Sequence, residues 1–143
     1  MKDEILKELA TLFFTTRQII RAELPTRGVC DPNEWLYKEV LRFVSQTDGP
    51  TMQDIAQHLR VKAPSASSLI AHLADQGWLE RKGSAQDRRV VRIYITNSGT
   101  KKLALYTKWS LVMMHKVFAK LTDAEIKTLV SLLRRVQDTH TKS

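Results

Sequence analysis

The sequence of 143 residues has a single cysteine, so it cannot form a disulfide bond within the chain. No apolar run approaches the ~20 residues that a helix needs to cross a bilayer. Its first residues, MKDEILKE, are too charged for a secretory signal peptide. These absences exclude a disulfide-stabilised secreted protein and a membrane protein. We therefore expect a cytoplasmic protein without a membrane partner.

Catalytic and cofactor motifs are also missing. The chain has no glycine-rich phosphate loop, no nucleophile elbow and no metal-binding His-Glu motif. Its histidines are scattered and include no His-x-x-x-His pair, and no Cys-x-x-Cys pair is present for zinc. These histidines are His58, His72, His115 and His140. We predict that the protein is not an enzyme and needs neither a metal nor another cofactor.

Acidic residues are outnumbered by basic ones. Lysine and arginine total 23 against 15 for aspartate and glutamate, which gives a net charge of +8 and a pI of about 9.8. Half of this excess lies between Arg81 and Arg92, where five cations accompany one acid. A basic balance favours a polyanionic partner, most often nucleic acid. The 43% of apolar residues is enough for a globular core.

The two ends of the chain have the pattern of long amphipathic helices. Apolar residues at helical spacing predict one helix over about residues 3–23, followed by a loop over residues 24–28. The segment Asp31-Pro32-Asn33-Glu34 predicts the start of a second helix, with Asp31 as its cap, that runs to about Gln46.

Two more helices are predicted after residue 96. Thr96 can cap a long helix that runs to about Lys120, and Thr122 with Glu125 forms a capping box for the last helix. These long terminal helices bury little against a small central module. We therefore expect their apolar stripes to meet a second copy of the chain. The alternative is that they pack only within one chain.

The stretch between residues 51 and 76 has helix-turn-helix spacing. A short helix and tight turn are marked by Ile55, Ala56, Leu59 and Val61, and the inner face of the next helix by Ala66, Leu69, Ile70 and Leu73. The second helix, residues 62–76, would then lie in the DNA major groove. Its candidate DNA contacts are Lys62, Pro64, Ser65, Ser67, Ser68 and His72. Because the helix is poor in the Arg, Asn and Gln that read bases directly, we expect DNA shape to supply part of the specificity.

A charged hairpin follows this helix. Residues 78–81 and 90–96 predict paired strands, and Val91, Ile93 and Ile95 alternate on one face. The minor groove is narrow and electronegative and attracts guanidinium groups.

At the tip of this hairpin, we expect Arg89 to enter the minor groove and Arg88 to touch phosphate or pack at the base of the hairpin. Asp87 should pair with a nearby arginine and fix the loop. The remaining cations, Arg81, Lys82 and Arg92, would contact the DNA backbone. The alternative is a charged loop that is merely solvated.

Residues 51–103 resemble the winged helix-turn-helix of the multiple-antibiotic-resistance regulator (MarR) family. The matching stretches are "DIAQHLRV", "SSLIAHLADQGWLER", "DRRVVRIYIT" and "NSGTKKL". The resemblance implies a mainly α fold with a small β-hairpin wing. It also implies a homodimeric transcription regulator, often a repressor, that binds a near-palindromic operator. In a single domain, residues 51–96 would bind DNA, and residues 1–50 and 97–143 would form the dimerisation region.

Two positions depart from the family pattern. The turn between the two helices often has glycine where this chain has Arg60, so a left-handed or adjusted turn is expected there. The recognition helix often starts with serine or threonine where this chain has Lys62. The fold should survive both changes.

The resemblance further implies a pocket for a small phenolic or aromatic carboxylate ligand, where the dimer helices meet the DNA-binding lobe. Candidate lining residues are Phe13, Arg17, Trp35 and Trp109, with Arg17 as the cation for a carboxylate and the rings for stacking. The other interpretation is that these aromatic residues are ordinary core or dimer contacts.

Two other functions stay open. Some members of the family sense oxidants through one cysteine, but Cys30 precedes Asp31, and a neighbouring acid disfavours the reactive thiolate. A dimeric architectural protein without an effector would share the fold and the basic wing, and it would bind most DNA sequences alike.

Overall fold

The computed structural model describes residues 1–23 and 33–140 of the chain. These residues form a mainly helical fold with one antiparallel hairpin, which confirms the predicted fold class. The elements are α1 (Lys2–Ala22), α2 (Glu34–Gln46), α3 (Met52–Leu59), α4 (Ala63–Asp75), β1 (Leu79–Gly83), β2 (Val91–Ile95), α5 (Asn97–Val117) and α6 (Asp123–Asp138). Among the described helices, none is both long and apolar enough to cross a membrane.

The chain divides into two compact units. One consists of Met1–Leu24 with Ser110–Ser143, and the other of Pro25–Trp109. The second unit has a core to which α2, α3, α4 and both strands contribute. Its fully buried side chains include Val40, Leu41, Ile55, Ile70, Leu73 and Ile93. The predicted inner face of α4 is therefore confirmed, and its burial leaves the opposite face of the helix exposed.

The ends of α3 follow local signals in the sequence. The Thr51 hydroxyl accepts a hydrogen bond from the Asp54 N–H at 3.1 Å, and the Asp54 carboxylate accepts one from the Thr51 N–H at 2.9 Å. The helix ends at Arg60, whose backbone is left-handed with φ 57° and ψ 43°. This confirms the turn predicted at Arg60, where a residue with a β-carbon costs about 1 kcal/mol.

The corner between α4 and β1 is joined to the start of α5. Gly77 has φ +80°, and the Trp78 N–H donates to the Leu73 carbonyl at 3.0 Å, as expected for a left-handed helix end. The Thr96 hydroxyl donates to the Gly77 carbonyl at 2.6 Å and accepts from the Gly99 N–H at 3.0 Å. A β-carbon at Gly99 would lie 2.1 Å from the Trp78 carbonyl oxygen, so only glycine allows this close approach.

Two helix ends differ from the predictions by two or more residues, and so does the burial of one strand residue. Helix α2 begins at Glu34 after an Asn33 cap that makes no side-chain capping bond, rather than at Pro32. Residues 24–28, Cys30, Asp31 and Pro32, on which other predictions rested, lie outside the described residues. Helix α5 ends at Val117, three residues before the predicted Lys120. On β2, Ile93 is buried but Val91 is 43% exposed, because Val91 pairs with Gly83 at the outer end of the hairpin.

A charged cluster joins α2 to α3. The Glu39 carboxylate accepts hydrogen bonds from Arg42, at 3.0 Å from Nε, and lies 2.7 Å from Nε2 of His58. The His58 ring stacks on Phe43 with 4.2 Å between the ring centroids. The hydrogen bond from Arg42, followed by that from His58, holds the pKa of Glu39 below its ordinary value of 4.5, although burial opposes the shift.

Because folding lowers the pKa of Glu39, its contribution to stability is present above pH 4.5 and is lost as the pH falls below that value. Glu39→Gln should lower the free energy of unfolding by about 0.5 kcal/mol near neutral pH, a small effect because water screens this half-exposed group. Urea unfolding of both proteins at about pH 7 and about pH 3.5 checks this. The difference should shrink at acid pH, and an equal difference at both values would contradict the assignment.

Candidate nucleic-acid interface

The exposed face of α4 carries most of the predicted major-groove contacts. Pro64, Ser65, Ser67 and Ser68 are exposed on the helix, and Lys62 is exposed at its N-cap position. Lys62 makes no side-chain capping bond, in keeping with its departure from the family pattern. These residues are brought together because Ala66, Ile70 and Leu73 bury the other face of the helix.

His72 differs from the other α4 candidates. It is half-buried rather than exposed, and its ring stacks on Tyr37 of α2 with 5.0 Å between the centroids. A cavity of about 350 Å³ lies here between α2 and α4. Its lining includes Ser65, Ser68 and His72, together with residues of α2. These three candidates thus border a concave surface beside α2, which the helical pattern of α4 alone did not indicate.

The wing loop, residues 84–90, is fixed by hydrogen bonds among its own residues. The Ser84 N–H donates to the Val90 carbonyl at 2.8 Å, and the Val90 N–H donates to the Asp87 carbonyl at 3.0 Å. The Asp87 carboxylate accepts from the Arg89 N–H at 3.0 Å and from Arg89 Nε at 3.3 Å. The prediction that Asp87 pairs with a nearby arginine is confirmed, and its partner is Arg89 itself.

The guanidinium groups at the wing tip face solvent. Arg88 is exposed, and the Arg89 side chain is 92% exposed. The bond from Arg89 to Asp87 uses Nε, which leaves its two terminal amino groups for another acceptor. Further down the hairpin Arg81 is exposed, and Lys82 forms an exposed ion pair of 3.2 Å with Glu80.

Arg92 has a structural contact that its sequence position did not suggest. Its Nη1 donates to the Gly49 carbonyl at 2.8 Å, so the base of the wing is joined to the loop before α3. Gly49 has φ +58°, and a β-carbon there would lie 2.6 Å from the Tyr94 hydroxyl oxygen. The sequence predicted that α2 ends at about Gln46, but it did not indicate this contact. Arg92 therefore supports the wing, whatever contact it makes with DNA.

Lys102, which sequence reasoning missed, lies among three aromatic rings. Its Nζ is 5.0 Å from the ring centroid of Trp78, 4.9 Å from that of Tyr106 and 5.7 Å from that of Trp109. Such distances fit cation–π interactions. The spacing of residues 102, 106 and 109, which places them on one face of a helix, could have indicated this cluster from the sequence. The cluster joins Trp78, just before the hairpin, to residues 102–109 of α5.

The candidate ligand-binding residues are distributed over both units. Phe13 and Arg17 are exposed on α1 in the first unit. Trp35 on α2 and Trp109 on α5 belong to the second unit, where Trp35 lies 5.5 Å from Lys38 Nζ and Trp109 lies beside Lys102. Among the described residues, no group of three or more His, Cys, Asp or Glu side chains is placed to hold a metal ion.

Comparison with known proteins agrees with this geometry. YpoP, a helix-turn-helix-type transcriptional regulator of Bacillus subtilis (strain 168), is 28% identical over 143 residues, which cover 95% of this chain and 96% of that protein. The crystal structure of BldR, a transcriptional regulator from Sulfolobus solfataricus, matches with a TM-score of 0.80 at 19% identity, over 97% of this chain and 98% of that one.

A second solved structure is BpsR from Bordetella bronchiseptica, whose DNA binding is regulated by 6-hydroxynicotinic acid. It matches with a TM-score of 0.73 at 18% identity, over 92% of this chain and 91% of that one. These relatives regulate transcription, which confirms the prediction that the protein is not an enzyme. Residues 35–90, which include the helix-turn-helix and most of the wing, match the model of the MarR family. Over these residues the chain is similar to the MarR family, and over nearly its whole length it is similar to a helix-turn-helix-type transcriptional regulator.

Proposed function

We propose that the protein is a homodimeric repressor that binds a near-palindromic operator. Each protomer would place residues 62–76 in the major groove and the wing, residues 81–92, in the neighbouring minor groove. Two such modules related by a two-fold axis read half-sites about one helical turn apart. The observation that carries the proposal is the exposed position of the α4 serines and the wing arginines in one compact unit.

The terminal helices supply the support for a dimer. Neither α1 nor α6 contains a buried residue. Large apolar side chains that are at least a third exposed include Ile5, Leu9, Leu12 and Ile19 on α1 and Ile126, Val130, Leu133 and Val136 on α6. A soluble monomer rarely exposes so much contiguous apolar surface. A second copy of the chain would remove these stripes from water, so we assign them to the dimer interface.

The ligand belongs to the same proposal. The regulation of BpsR by 6-hydroxynicotinic acid, an aromatic carboxylate, supports a ligand of this chemical class here. Such a ligand offers a carboxylate with which an arginine can pair and a ring on which aromatic side chains can pack. Binding would favour a spacing of the two DNA-binding lobes that no longer fits two successive grooves. Titrating 6-hydroxynicotinic acid into a preformed DNA complex tests this, and a complex that stays intact would argue against release by this class.

The DNA affinity should depend steeply on salt. Cations of both wings and both recognition helices would neutralise DNA phosphates and release condensed counterions. With six or more phosphate contacts in the dimer, the association constant should fall about thousandfold between ~50 and ~200 mM salt. Fluorescence anisotropy of a labelled duplex measures this directly. A flat salt dependence would contradict an interface built on phosphate contacts.

Selection of bound sites from a random pool of DNA tests the operator. The proposal predicts two similar half-sites in inverted orientation, with a centre-to-centre spacing of about 10 base pairs. An architectural protein without sequence preference would return no common site. The same selection shows how strongly the base pairs contacted by the wing are preferred. At these base pairs the wing would recognise the width of the minor groove.

A further inference from the structure

Arg60 has a backbone conformation that its side chain does not favour. It is the one non-glycine residue with positive φ in the part of the chain that the structure describes. Its N–H donates to the carbonyls of Ala56 and Gln57, and the Val61 N–H donates to the Ala56 carbonyl at 3.1 Å. The turn is therefore made by backbone groups alone. Glycine or asparagine would adopt its left-handed conformation more easily than arginine.

The guanidinium group of Arg60 has no role in the described fold. The residue is exposed, and its side chain makes no hydrogen bond or ion pair with residues 1–23 or 33–140. Two other cations of this unit are paired, Arg42 with Glu39 and Lys82 with Glu80. An unpaired cation in a strained position indicates a function outside the chain, because strained residues concentrate at functional sites.

The position of Arg60 indicates which partner the guanidinium would have. The residue lies two positions before Lys62, the N-cap of α4. When a recognition helix enters the major groove, its N-terminal end faces the bases and the preceding helix crosses the sugar-phosphate backbone. The turn that joins the two helices then borders the phosphates at the edge of the groove. Arginine is well suited to this position because its planar donors fit phosphate oxygens.

We propose that Arg60 binds a DNA phosphate beside the recognition helix. The inference rests on the proposed docking of α4 and adds a residue to the candidate DNA contacts. It explains why arginine stands where glycine would make a less strained turn. A phosphate contact carries no sequence information, so Arg60 would add to affinity for any duplex and would fix the register of α4 on the DNA.

Three variants separate the charge of Arg60 from its backbone. Arg60→Gly and Arg60→Asn remove the charge and relax the turn, whereas Arg60→Lys keeps both the charge and the strain. Arg135→Gln is the matched control, because it lowers the net charge by the same amount. Arg135 is exposed on α6, on the side opposite to Ile126 and Val130. Binding to a duplex of mixed sequence, roughly 30 base pairs long to span two half-sites, is measured over a series of salt concentrations. Urea unfolding of each variant is measured in parallel.

We expect Arg60→Gly and Arg60→Asn to bind the duplex about three- to tenfold more weakly for each phosphate contact that is lost. The slope of log K against log salt should become shallower by about one for each protomer. Their urea midpoints should be unchanged or higher. Arg60→Lys should keep the wild-type slope, and so should Arg135→Gln.

Two results would overturn the inference while DNA binding itself stands. One is wild-type affinity and salt slope in Arg60→Gly, and the other is a lowered urea midpoint in that variant, which would assign the arginine to the fold. If the wild-type protein does not bind the duplex even at low salt, the proposed function fails as well, and the contact at Arg60 fails with it.

Discussion

Replacing both Leu9 and Leu12 with aspartate should convert the dimer into a monomer and lower the affinity for an operator duplex by about a hundredfold or more. These residues lie on one side of α1, near the partly buried Thr16 and Ile20. An aspartate on a surface that a second protomer covers must lose its hydration without gaining a partner, which is strongly unfavourable. A monomer then binds one half-site at a time and loses the effective concentration that the second module provides.

The control for this variant is Gln18→Asp. Gln18 is also exposed on α1, but helical periodicity places it on the side opposite to Leu9 and Leu12. It should remain dimeric and bind DNA normally. Sedimentation velocity gives the oligomeric state, and circular dichroism tests whether the helices persist. The unit Pro25–Trp109 has its own core, so we expect its fold to survive in the monomer. If the Leu9→Asp, Leu12→Asp double variant stays dimeric, this side of α1 is not part of the dimer interface.

Arg89→Ala should weaken operator binding by roughly five- to 150-fold without changing dimerisation or stability. The side chain is 92% exposed and its only bond in the wing is to the neighbouring Asp87, so the fold loses little when it is removed. The bound state loses a guanidinium in the minor groove, where the negative potential is concentrated. The substitution also removes the guanidinium that pairs with Asp87, so the Asp87 carboxylate would repel the DNA phosphates near it.

Arg135→Ala is the matched control, because it removes the same charge from an exposed position on α6. It should reduce affinity far less than Arg89→Ala at the same salt concentration. Anisotropy titrations at moderate salt compare the two variants. Equal affinities for Arg89→Ala and wild type would show that the wing tip does not enter the groove, and the remaining candidates, Arg81 and Arg88, would then need separate tests.

Local signals in the sequence predicted most helix ends correctly. Thr122 and Glu125 form the predicted capping box, and α4 begins and ends within one residue of its predicted bounds. The left-handed turn at Arg60 was also predicted. These features depend on residues within about one helical turn of each other, so the sequence order already places the partners together.

Contacts between distant residues could not be predicted in the same way. The bond from Arg92 to the Gly49 carbonyl and the contact between His58 and Glu39 join segments that only the packing of α2, α3 and the hairpin brings together. His72 was predicted to be exposed because α4 alone leaves it at the surface, but Tyr37 of α2 covers one side of its ring. Helical periodicity gives the face of a residue, whereas its neighbours depend on the tertiary fold.

The sequence predicted which residues form the candidate DNA-binding surface, but not which side chains pair with each other within it. The exposed α4 serines and the basic wing followed from periodicity and charge. That Asp87 pairs with Arg89 rather than Arg88 depends on the backbone of the loop, where the Arg89 N–H and Nε share one carboxylate oxygen. The role of Lys102 was missed because its contacts with Trp78 arise only when the corner after α4 packs on α5.

The mass of the protein–DNA complex tests the central claim most directly. Sedimentation equilibrium of the purified chain with an operator duplex at moderate salt should give the mass of the duplex plus that of two chains of 16.4 kDa each. The free protein should sediment as a dimer under the same conditions. A monomer that does not associate with the duplex even in dilute buffer would contradict both the dimer and its DNA-binding surface.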